Sequence, residues 1–489
     1  EIASCLVGSE MCIRDRFIVM KNRKVNFKRC YLSGLALVVG LIFISSCNDG
    51  DKGYKEYDPS LPVVIDEIYP DSGGYFDEVI LRGENLGSDP KRLRVFFNQK
   101  EAIVVGASGD RALIHVPKLP GDECKIGMLL DGNTTDTVFC KQSFKYQKNY
   151  QLQYVCGQVG STNATFVEGS FQTTEFGKNM FNLTADPEGV IYLNHRVTGT
   201  GGSLVYINEN EFMTKFIAYG DGNAGEPAAP WYDKVTQKVY FTAMRKGYFW
   251  EVDPYDSYAV VLRQLVAPNA EYQAKGYRPY KNGDLMWCYS FVRAKDAKGE
   301  EWVYCRAYDG TLFRFKFEDR VYDVVGVCPS GAVDNFICGD PEDNTKIYCS
   351  LKQKNIVTCL DLSKDISDPG FETVVCGVGG MGGSVGDFQD GHSSIAKMNN
   401  PEQILLTRDP ETSEKIMYVC DAKNCCVRQF NLATNMMTTV AGIGKQKGFS
   451  TGSPKESKLN WPIGICLSPN GDIYIADAGN RVIMKLMFL

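Results

Sequence analysis

The sequence predicts an all-β protein, a small β-sandwich followed by a six-bladed β-propeller. Three observations carry that expectation. Between residues 61 and 147, short alternating apolar runs are broken by turn signals roughly every 8–12 residues, the rhythm of a sandwich. From Tyr150 onward an apolar residue followed by Tyr or Met recurs at Ile191-Tyr192, Val239-Tyr240, Leu285-Met286, Ile347-Tyr348, Met417-Tyr418 and Ile473-Tyr474. The last unit is spelled out in full. Pro462-Ile463-Gly464-Ile465 leads to an Asn470-Gly471 turn, the strand Ile473–Ala476, an Asp477–Asn480 turn and a third apolar strand. Such a unit cannot bury both its faces alone, so six of them close a ring.

Composition narrows the classes. Of 489 residues, 44% are apolar and 23% charged, as in an ordinary globular protein. The net charge of −6 offers no basic footprint for nucleic acid, and 3 His argue against a His-based metal centre.

The N-terminus reads as a leader. Residues 1–19 look non-native, since Ser4–Arg16 resembles translated sequencing-adapter sequence. The natural start is then Met20. Lys21, Arg23, Lys24, Lys28 and Arg29 precede the apolar run Leu35–Ile44, which has the length of a secretory h-region and is short for a membrane span. Ile44-Ser45-Ser46-Cys47 resembles a bacterial lipobox, which implies a signal peptide over 20–46 and lipid on the Cys47 thiol. The acidic Asn48-Asp49-Gly50-Asp51 that follows implies a surface-exposed outer-membrane lipoprotein, tethered through residues 47–60. Without residues 1–46 the chain has 46 basic and 56 acidic side chains, a net charge of −10.

The sandwich spans 61–147. Pro70-Asp71-Ser72-Gly73, Gly83-Glu84-Asn85-Leu86-Gly87, Val116-Pro117 and the closing Phe144-Lys145-Tyr146 come in an order that resembles the IPT/TIG domain, which is Ig-like. The resemblance implies a spacer or support whose Gly and Pro residues shape turns. Cys124 and Cys140 could bridge within it. Most of the other cysteines, Cys288, Cys305, Cys349, Cys359, Cys376, Cys420 and Cys466, fall in apolar alternation, where Cys acts as a small core residue. No CxxC pair suggests zinc or redox chemistry.

The propeller spans 148–489, with units longer than the ~40–45 residues usual for a four-stranded blade. Asp421-Ala422-Lys423-Asn424 matches Asp477-Ala478-Gly479-Asn480, and Asn400-Pro401 answers Trp461-Pro462. These last two units resemble the NHL repeat. Thr439–Gly444 also matches Val374–Gly379 and Tyr154–Gly160. The third match precedes the first unit, so residues 150–157 are expected to supply the outer strand of the last blade.

Chemistry is thinly written. No GxSxG, P-loop, HExxH or EF-hand loop occurs. His392, in Asp390-Gly391-His392, falls on a loop turn, and His115 on a sandwich strand. His195, just after Ile191–Asn194, either lines a channel mouth or is a solvated strand end. Asp421 with Asn424 and Asp477 with Asn480 are expected to hold turns through side-chain bonds to backbone amides. Calcium is the one cofactor left open. The aromatics are more promising. Trp231-Tyr232 after Ala229-Pro230, and Trp461 before Pro462, both read as lying where a blade opens, where a flat ring could stack on a sugar. Tyr248, Phe249, Trp250, Trp287 and Trp302 are the further aromatics of the mid-chain strands.

These features, and a layout that resembles bacterial surface lipoproteins of glycan-uptake systems, imply an exported, lipid-anchored, non-enzymatic binding protein. Its expected partners are the outer membrane and a polysaccharide or surface protein, not nucleic acid. The alternatives are a metal-dependent lyase or hydrolase using the channel, and a protein–protein interaction scaffold.

Overall fold

The computed structural model describes residues 56–118, 123–130, 133–147, 150–163, 165–177, 179–196, 203–219, 227–243, 247–266, 288–409 and 412–488. The leader, Cys47, the tether as far as Lys55, the Leu285-Met286 step and Trp287 lie outside the described residues.

The N-terminal unit is an eight-stranded sheet folded around its own core. One strand turns the corner. Lys100–Ala107 pairs with Leu93–Phe97 through its first residues and with Gly109–His115 through its last ones. Alternate residues then face inward, and Ile65, Val79, Leu81, Val95, Ile114 and Phe144 form a dry core. Cys124 and Cys140, which could have bridged, form no disulfide. The strand register explains it, because Cys124 sits opposite Phe144.

Among the described residues, six further sheets of four or five strands form the propeller blades. Their innermost strands are Asn179–Ala185, Pro227–Asp233, Cys288–Lys295, Asn335–Gly339, Pro401–Arg408 and Pro462–Leu467. Each pairs antiparallel with the strand after it. Blades one and five gain a short fifth strand at Gly169–Ser170 and Gly391–His392. Blade six is completed from far upstream, since Val482–Phe488 pairs with Tyr150–Gly157. That pairing joins the two ends of the propeller and covers an edge that would otherwise carry unpaired backbone groups.

The second strand of blade six is buried on both faces, which is why it reads as a nearly continuous apolar run. In Ile473–Asp477, Ile473 and Ile475 enter a core shared with Ile416 and Tyr418 of blade five. Tyr474 and Ala476 enter the core shared with Ile191 and Leu193 of blade one. Burial pushes the Tyr192 hydroxyl well above its usual range. Five of the six apolar-Tyr steps read from sequence lie in the second strand of a blade. In blade three that place belongs to Val303-Tyr304 of Glu301–Ala307, so the Leu285-Met286 register was set too early.

Near the axis Gln403 bridges three blades. Its Oε1 accepts from Leu183 N–H at 2.8 Å and Ile465 N–H at 3.0 Å, and its Nε2 donates to Leu183 C=O at 2.7 Å. The sandwich touches the propeller where Lys118 Nζ meets Asp472 Oδ1 at 2.7 Å, in the first turn of blade six.

Candidate functional site

All six innermost strands run the same way along the axis. They begin on one face, called upper here, and end on the lower one. This separates the aromatic candidates that the sequence placed together. Trp461 precedes Pro462 on the upper face, 38% exposed, with a left-handed backbone at φ 66°. Trp231 and Tyr232 lie near the end of Pro227–Asp233, on the lower face. Register gives the reason. Pro227 pairs with Ala243 as Pro462 pairs with Asp477, so Pro227 is the proline that answers Pro462. Pro230 lies deeper in the strand, and Trp231, opposite Tyr240, occupies the rung that Cys466 holds opposite Tyr474.

On the upper face the Asp/Asn pairs fasten turns. Asp477 Oδ1 accepts from Asn460 N–H at 2.8 Å and Oδ2 from Asn480 Nδ2 at 2.6 Å. Asp421 accepts from Asn399 N–H at 2.7 Å, from Asn424 Nδ2 at 2.8 Å and from Arg428 Nη1 at 2.8 Å. Burial raises both carboxyl groups. Asp477, with no ion-pair partner among the described residues, reaches about 8, while the Arg428 guanidinium beside Asp421 restrains it to about 6.

His195 meets neither expectation, since it is fully buried. Its Nε2 accepts from Gly177 N–H at 2.7 Å, and burial lowers it to about 4. His392 is exposed beside Ser394, and His115 stacks on Phe76 at 4.1 Å. Among the other aromatics, Phe249 and Trp250 are core. Trp302 lies beneath Arg314 and Lys316 at 4.3 and 4.5 Å.

The lower face holds a funnel of about 730 Å³ at the mouth of the ring, lined by residues of every blade, among them Ala185, Trp231, Arg293, Asp340, Leu406 and Leu467. Gln403, Leu183 and Ile465 belong to its wall, so the three-blade bridge supports it. Trp231 is half-buried and tilted against Tyr240 at 5.9 Å, which in turn stacks on Phe317 at 4.1 Å. Tyr232 is buried.

Two buried acids of the funnel, Asp233 and Asp340, are paired across blades. Arg293 of blade three clasps Asp233 of blade two through Nε–Oδ1 at 3.0 Å and Nη2–Oδ2 at 2.5 Å, and reaches Glu301 at 3.0 Å. Lys415 of blade five holds both oxygens of Asp340 of blade four, at 3.0 and 2.8 Å. Among the described residues no three His, Cys, Asp or Glu side chains gather as a metal site would require.

The sequence reading missed a recurrent Asp at the first turn of five blades, Asp186, Asp233, Asp296, Asp340 and Asp409, with Ser468 in blade six. Each accepts a backbone N–H of its own turn. The signal was present, because Asp-Pro precedes the apolar-Tyr or apolar-Met-Tyr step at Asp186, Asp340 and Asp409.

The fold and its repeats define the class: a six-bladed β-propeller with an NHL repeat in its last blade and a β-domain before it. The NHL repeat family matches residues 459–481. Protein SUPPRESSOR OF QUENCHING 1, chloroplastic, of Arabidopsis thaliana is 22% identical over 344 residues, 67% of this chain, and the chain spans 26% of that protein. Three solved structures from Bacteroides thetaiotaomicron share the fold across nearly their whole length. A protein of unknown function is 19% identical, with TM-score 0.64, over 89% of this chain and 100% of its own. An auxiliary nutrient binding protein is 21% identical, with TM-score 0.55, over 88% and 99%. A third, described only provisionally as a phosphatase, is 17% identical, with TM-score 0.55, over 89% and 98%.

Proposed function

We propose that this chain is an exported, lipid-anchored binding protein without catalytic activity, which recognises a glycan at the cell surface through the lower-face funnel. The observation that carries the reading is the funnel itself. It sets a half-buried Trp231 at a mouth whose acids Asp233 and Asp340 are each committed to a cation of the next blade. A flat ring beside fixed polar groups suits a sugar, with its apolar face and hydroxyl edge. A lyase or hydrolase would need a free acid or a metal-ligand set there. The nutrient-binding description of a structural neighbour agrees with a binding role, though it belongs to that protein.

In this reading Cys47 carries the lipid, residues 47–60 form the tether, and residues 61–147 form an IPT/TIG-type support that sets the propeller off the membrane. Lys118 on Asp472 fixes the support against the funnel side. An affinity screen of the protein against a polysaccharide panel, with and without calcium, tests the proposal. Binding that falls in Trp231→Ala supports it, and silence across the panel overturns it.

A further inference from the structure

The upper face has a polar cavity that the glycan reading does not use. It lies off the axis between blades four and five and has a volume of about 500 Å³. One wall is the glycine-rich segment 382–386, and the other is built from Lys352, Gln353, Asn399, Asn400 and Lys423. The glycine-rich wall is fixed in place. Gly383 has φ 74°, and a Cβ there would lie 2.2 Å from Lys354 C=O. Lys354 Nζ donates to Ser330 C=O and Met381 C=O at 2.5 and 2.9 Å, and Asn355 Nδ2 donates to Ser384 C=O at 2.7 Å. The cavity is therefore preformed, and a ligand need not order the loop.

Its chemistry is one-sided. No carboxylate lines it. The nearby Glu402 is covered by Lys352 and accepts from Asn400 Nδ2 at 2.6 Å. Lys423 is exposed and has no carboxylate partner among the described residues, so it brings an uncompensated ammonium to the lining. Ser384 Oγ, shielded in the wall, has no hydrogen-bond partner. Amide side chains and an unpaired ammonium around a rigid wall suit a small anion that also carries hydroxyl groups.

We propose that this cavity is a second ligand site, for a sugar acid, held by Lys423 at its carboxylate and by the amides of Asn399 and Asn400 at its hydroxyls. It does not rest on the funnel reading, because funnel and cavity open on opposite faces. Calorimetric titration of the full chain with glucuronate, glucose and inorganic phosphate tests it. Glucuronate should bind at millimolar concentration or below, with glucose and phosphate weaker by about tenfold or more. Lys423→Glu, an exposed change that should leave the thermal midpoint in place, should weaken glucuronate by about tenfold or more, Lys423→Gln by less, and Trp231→Ala not at all. Absence of glucuronate binding, equal binding in Lys423→Glu, or phosphate binding as tightly as glucuronate overturns the proposal.

Discussion

His195 of blade one and Asp477 of blade six occupy the same rung of the propeller. His195 pairs with Met180 and Asp477 with Pro462, each at the last register position before a bulge in the innermost strand. Each accepts the N–H of the segment that leads into its blade, from Gly177 at 2.7 Å and from Asn460 at 2.8 Å. Asp421 holds the same rung in blade five. One structural task, fastening the chain as it enters a blade, is thus done by an imidazole once and by carboxylates twice.

The exchange gives the rung opposite responses to pH. Burial lowers His195 to about 4, whereas an unfolded His takes its proton near 6.5. Its stabilisation is full above about 6.5 and is lost as pH falls toward 4. Burial raises Asp477 to about 8, above the roughly 3.9 of an unfolded Asp. Its stabilisation is full below about 4 and is lost as pH climbs through 8. Urea unfolding should therefore show His195→Gln losing less stability than wild type between about pH 7 and 5. Asp477→Asn should lose less between about pH 4 and 8. Parallel pH profiles for variant and wild type would contradict the assignment.

Gln403 should be the costliest polar side chain to remove near the axis. Gln403→Leu keeps most of the volume but strands Leu183 N–H, Leu183 C=O and Ile465 N–H in a buried place. Each orphaned group costs about 1–3 kcal/mol, so a loss of about 3 kcal/mol or more is expected. Chemical denaturation measures it, and a loss below about 1 kcal/mol would mean that water replaces the bridge.

Local patterns made much of this legible, and register made the rest hard to see. The Asp477–Asn480 turn and the outer-strand match at Tyr154–Gly160 are written in adjacent residues, and both led to the right strands. His195 could not be matched to Asp477 because the shared element is a backbone amide acceptor, which a sequence shows only through unlike side chains. Trp231 was misplaced because the neighbouring Ala229-Pro230 was read as the blade entry, a place that strand pairing gives to Pro227. Paired charges such as Asp233 with Arg293 join separate blades, and no spacing within one repeat announces them.

The closing strand makes a separate prediction. Gly157 ends it with φ 108°, and a Cβ there would lie 2.4 Å from Arg481 C=O. Gly157→Ala should therefore destabilise the propeller by about 2 kcal/mol or more, through strain at a left-handed position and a backbone clash in the strand pair that closes the ring. A thermal midpoint equal to wild type would show that blade six does not depend on this pairing.

Trp231 and Trp461 give the most discriminating pair of variants, because they lie on opposite faces of one rigid ring. If the funnel takes the glycan, Trp231→Ala removes the stacking surface at its mouth and should raise Kd by about tenfold or more. Trp231 also packs on Tyr240, so Trp231→Phe serves as the folding control, keeping a ring in place and recovering much of the affinity. Trp461→Ala should leave funnel binding within about twofold of wild type, since Trp461 is outside the funnel and 38% exposed. The opposite result, loss in Trp461→Ala with Trp231→Ala unchanged, would move the glycan to the upper face and make the lower mouth a product of ring closure alone.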